Sequence, residues 1–61
     1  MKEQIDQLRD MNEKKRIILD MLNDNLSLEN VKKLYEINAE ILSIEAKIIT
    51  ILTFNYKWYE H

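Results

Sequence analysis

The chain has 61 residues, nine Lys and Arg against eleven Asp and Glu for a net charge of −2, and no Gly, Pro or Cys. Lacking the residues that supply positive-φ turns, strand breaks and disulfides, it excludes a β-sandwich, a disulfide scaffold and the usual cysteine zinc sites, and it reads as one all-α domain over 1–61. The balanced charge argues against a nucleic-acid binder, and a chain this short buries only about 60% of its unfolded surface, so self-association or a partner is the expected supplement.

In chain order, the opening stretch MKEQIDQLRDM is already a charged amphipathic pattern and not a secretory leader. A cytoplasmic protein is expected. Apolar residues at Ile5, Leu8, Met11, Ile18, Leu19 and Leu22 fall at three- and four-residue steps, which predicts a first helix from about Lys2 to Asn23. Asn12 and Lys15 interrupt that stripe, and Lys15 can lay its aliphatic stem along the seam while its ammonium stays in water.

A turn is expected over about 24–27. Ser27 is the predicted N-cap of the next helix, with Glu29 placed where the helix dipole favours an anion. Leu26 and Val31 have the spacing of a hydrophobic staple across that cap. Asn25 stands in for a C-cap glycine, since Asn tolerates the left-handed conformation. So short a turn makes the two helices antiparallel neighbours.

The second helix is predicted from Leu28 to about Trp58. Leu34, Ile37, Ile41, Ile44, Ile48 and Ile51 form an unbroken heptad seam, which Asn55 and Trp58 continue. A second stripe, Tyr35, Leu42, Ile49 and Tyr56, lies beside it, and Leu28, Val31 and Leu52 widen the face beyond what one partner helix can cover. At 1.5 Å per residue the helices would span roughly 33 and roughly 45 Å. The tail therefore overhangs.

The expectation is an antiparallel helical hairpin of unequal helices that dimerises into a four-helix bundle. Ile at both seam positions suits higher-order bundles, and Asn12, Asn38 and Asn55, on or beside the seam, are of a type that fixes register. The oligomer or partner interface is assigned to Ile44, Ile48, Ile51, Leu52, Phe54, Tyr56, Trp58 and Tyr59, with Trp58 and Tyr56 foremost as hot-spot residue types. The function expected is non-enzymatic: a small protein-binding regulator, adaptor or inhibitor.

No catalytic residue, metal ligand or cofactor is predicted. His61 is the one histidine and stands last, and no Gly-rich loop offers a phosphate cradle. Glu36 with Glu40, and Glu40 with Glu45, lack the Glu-x-x-His partners of di-metal bundles, so they read as a solvated face.

Two alternatives accompany this reading. Lys14, Lys15 and Arg16, with Lys32 and Lys33, could line one face of a hairpin dimer; in architecture such a dimer resembles the RNA-binding hairpins of the ROP type. Lys14 and Arg16 are equally placed to pair with Glu36 and Glu40 across the hairpin. A peripheral membrane protein is the other alternative, resting on the tail aromatics and Lys57, although Lys47, Thr50, Thr53, Lys57 and Glu60 do not make a strongly basic polar face. The apolar run from Ile48 to Leu52 is far shorter than the roughly 20 residues of a membrane span. In size and topology the chain also resembles small helical-hairpin phosphatases of sporulating bacteria. Their Ser-Gln-x-Leu-Asp signature is absent from LYEINAEILSIEAKI, so membership is not assigned. The frequency of Ile, Asn, Lys and Tyr points to an AT-rich coding sequence, hence a bacterial or phage origin.

Overall fold

The computed structural model describes the backbone of residues 1–60 and the side chains of residues 1–55. Two helices, α1 (Lys2–Asp24) and α2 (Leu28–Glu60), pack against each other as an antiparallel all-α hairpin. The three residues between them hold both helix ends with few groups. The Asn25 N–H donates to the Met21 carbonyl at 2.9 Å and closes the last turn of α1. The Ser27 hydroxyl accepts the Asn30 N–H at 3.1 Å, capping α2 as its sequence position predicts.

Two local expectations are corrected. Asn25 is extended, at φ −148° and ψ 100°, and no described residue has positive φ, so the turn needs no glycine substitute. Its extended backbone lets the chain cross to α2 in a short stretch. Leu26 is 81% exposed, so no hydrophobic staple covers it against Val31.

The interior is a single seam. On α2 it follows the predicted heptad, with Ile41 and Ile44 buried and Leu34, Ile37, Ile48 and Ile51 half-buried. On α1 the facing positions are Gln4, Leu8, Met11, Lys15, Ile18 and Leu22, of which Ile18 is buried. Lys15 is half-buried, in keeping with its aliphatic stem. Ile5 and Leu19, expected inside, are exposed, and so is Asn12. Each follows a seam position by one residue, which turns it about 100° away from α2. A pair of straight helices can bury only the columns that keep the 3.5-residue repeat, and the polar Gln4 keeps it where the apolar Ile5 does not.

Two helices side by side make a rod. The molecule measures 53 × 17 × 13 Å with a radius of gyration of 15.4 Å, against about 10.5 Å for a compact domain of this length. No described side chain is completely buried. α2 has 33 residues and α1 has 23, and Gln4, near the start of α1, lines a groove with Lys47, Thr50 and Ile51. The part of α2 beyond that level lies past the end of α1.

Candidate interaction surface

The two sides of the hairpin differ because of how helices wind. In an antiparallel pair, residues that follow a seam position lie on one side in both helices, and residues that precede one lie on the other. Reversing the chain direction reverses the sense of winding. The side of preceding residues is polar along α2 and along the first half of α1, where Gln7 lines one groove with Glu40, Ser43 and Lys47, with Met11 and Ile44 at its floor; nearer the turn Ile17 and Met21 stand exposed on it.

The side of following residues is apolar on α2. Leu28, Val31, Tyr35, Leu42, Ile49 and Leu52 all stand exposed there, Tyr35 at 77% and Leu42 at 67%. Between them lie only Asn38, half-buried, and Glu45, exposed. The pattern is a complete heptad seam, shifted one residue from the buried one, with no partner in the hairpin. On α1 the same side carries Ile5, Asn12 and Leu19, edged by Arg9 and Arg16.

The eight residues predicted as the interface divide. Ile44 is 9% exposed and belongs to the hairpin's own interior, where α1 covers it, and Ile48 and Ile51 are half-buried on the same seam. Leu52 and Phe54 are exposed. The side chains of Tyr56, Trp58 and Tyr59 lie outside the described residues.

The basic residues are not gathered. Lys14 is exposed beside the polar side, Lys15 is half-buried in the seam, and Arg16 projects from the apolar side. Arg16 is also engaged locally: its Nη2 lies 2.6 Å from Glu13 Oε1 and its Nη1 3.8 Å from Asp20 Oδ2. The guanidinium's hydrogen bond and charge hold the Glu13 carboxyl below its ordinary pKa, and the carboxylate raises that of Arg16 in return. Lys33 Nζ lies 3.7 Å from Glu29 Oε1. Among the described residues every ion pair stays within one helix, so the expected bridges from Lys14 and Arg16 to Glu36 and Glu40 are not formed. For Arg16 the reason is geometric. It follows a seam position while Glu36 and Glu40 precede theirs, which puts them on opposite sides.

Two polar residues inside the seam escaped the sequence reading. Asn30 is 9% exposed, and Gln4 Oε1 is buried with no hydrogen-bond partner. Both sit at heptad positions of their helices. The spacing of the seam, extended through polar letters, would have found them.

Among the described residues no three His, Asp or Glu side chains converge on one point, and no helix is long and apolar enough to cross a membrane. Comparison with protein-family models, with curated proteins and with solved structures finds no match, so the uncovered stripe of α2 is the feature from which a function has to be read.

Proposed function

We propose that the chain is a small, non-enzymatic protein-binding regulator, adaptor or inhibitor of the cytoplasm, acting as a self-associating hairpin whose copies pair into a four-helix bundle. The observation that carries this reading is the exposed heptad stripe of α2. The elongated molecule as a whole also carries more surface than a compact one. The hairpin exposes 5321 Å², about 1,100 Å² more than the roughly 4,200 Å² of a compact monomer of 7.4 kDa. A stable protein interface takes about 800 Å² from each partner. Burying Leu28, Tyr35, Leu42 and Ile49 against another protein would give the rod the second layer that small helical domains use to become stable.

No observation favours the nucleic-acid alternative, because Lys14, Lys15 and Arg16 leave α1 in three directions and Arg16 is neutralised by its neighbours. Sedimentation equilibrium over a wide concentration range tests the proposal. The wild type is expected at twice the monomer mass, and Leu42→Asp at the monomer mass with its helical circular dichroism retained, because Leu42 touches little inside the hairpin. A wild type that stays monomeric throughout, or a Leu42→Asp variant that still dimerises, defeats the reading.

A further inference from the structure

We infer that the uncovered side of the hairpin is built for a second copy of this chain in one orientation: α2 packs antiparallel on the partner's α2, and α1 antiparallel on the partner's α1, about a two-fold axis crossing the helices near Asn12 and Glu40. The inference rests on the self-association proposed above and specifies its geometry.

A surface that meets its own copy across a two-fold axis must complement itself when reversed. The stripe of α2 does so. An antiparallel heptad match lays Leu28 on the partner copy's counterpart of Leu52 and Val31 on that of Ile49, so both ends close with apolar layers. The two polar members fall near the middle. Asn38 then faces Leu42, and Glu45 faces Tyr35, whose phenolic hydroxyl can donate to the carboxylate. This pairing turns about the level of Glu40.

α1 offers a reversal centre of its own, with its inner column matched on itself where α2 matches its two columns on each other. On the uncovered side its inner column is Ile5, Asn12 and Leu19. Reversal about Asn12 lays Ile5 on Leu19 and Asn12 on itself, where two amides can exchange hydrogen bonds. The two centres coincide within the hairpin. Gln7 and Met11 share a groove with Glu40, Ser43, Ile44 and Lys47, and Gln4 shares one with Lys47, Thr50 and Ile51, a register that sets Asn12 level with Glu40. One axis therefore serves both helices.

Other orientations fit worse. A parallel, in-register pairing of α2 would set Glu45 against Glu45, two carboxylates in an interface core. Laying α2 on the partner's α1 would separate Glu45 from the Tyr35 hydroxyl and set like positions of the two copies at one level, an arrangement in which cysteines at Leu28 and Leu52 could not join.

The chain has no cysteine, so disulfide trapping can be read without background. Leu28→Cys and Leu52→Cys variants, mixed and mildly oxidised, are expected to give a cross-linked dimer joining one of each, while neither variant alone cross-links, because like positions lie about 36 Å apart along the bundle. Asn12→Cys alone is expected to cross-link to itself. Self-linking of Leu28→Cys would establish the parallel pairing, and failure of the mixed pair to link in a protein that sediments as a dimer would discard this orientation while leaving self-association standing. A protein that sediments as a monomer would instead remove the reading on which the orientation rests.

Discussion

Leu34, Ile41 and Ile48 form one column of α2; Tyr35, Leu42 and Ile49 form the next, one residue on. Both keep the same seven-residue step, and both consist of large residues. The first column is buried or half-buried and the second stands open. Hydrophobic periodicity therefore identifies faces without deciding which is covered. Two features decide it here. The Ile columns run from Leu34 to Ile51 without a polar member, whereas the outer stripe carries Asn38 and Glu45. A single partner helix is also too narrow to shield both, so α1 takes the face on which burial strands fewer polar groups.

That comparison can be broken by mutation at neighbouring positions. Ile44→Ala is expected to lower stability by about 2–5 kcal/mol, nearly the whole stability available to a single core of this size. Leu42→Ala, at concentrations low enough to keep the protein monomeric, is expected to change it by no more than about 0.5 kcal/mol. Thermal denaturation of the two variants side by side measures the contrast, and equal losses would mean that α1 covers the wrong column.

The seam can also be improved. Gln4→Leu removes a carbonyl oxygen buried without a partner and adds an apolar side chain at a heptad position, so it is expected to raise stability by about 1–3 kcal/mol. A lower urea midpoint in this variant would show that Gln4 finds a partner in solution. Ser27→Ala tests the turn and not the seam. Loss of the hydroxyl that caps the Asn30 N–H should cost about 1 kcal/mol in the same denaturation measurement.

The smallest effect is expected where the charges are most visible. Glu13 is exposed, and its carboxyl is held below the ordinary value of 4.5 by the Arg16 hydrogen bond and charge. A depressed folded-state pKa contributes stability above the unfolded value, and that contribution disappears as pH falls through the folded value. Helicity of the wild type should therefore drop slightly more than that of Glu13→Gln on acidification below pH 4.5. At neutral pH and high salt the two should melt together, because exposed pairs are screened. A large difference there would assign this ion pair a structural weight its exposure does not support.

Much of the architecture is legible from residue spacing. Both helices, the Ser27 cap, the heptad core of α2 and the separate stripe beside it follow from steps of three, four and seven. The errors share one cause. Reading by apolar letters placed Ile5 and Leu19 inside and passed over Gln4 and Asn30. Burial follows position on the repeat more strictly than it follows residue type when only two helices pack. The Asn25 conformation failed for a different reason: a three-residue link spans the gap with extended backbone and has no need of a left-handed cap.

By itself the sequence determines that this protein is two unequal helices joined by a tight turn. Helix periodicity, the Ser27 cap and the absence of Gly and Pro are local properties that hold whatever the helices pack against. Only the tertiary structure decides which residues of α1 take the seam, setting the polar Gln4 inside and the apolar Ile5 and Leu19 outside. That choice is a competition for one helix-wide strip of shielding, and its outcome depends on both helices at once.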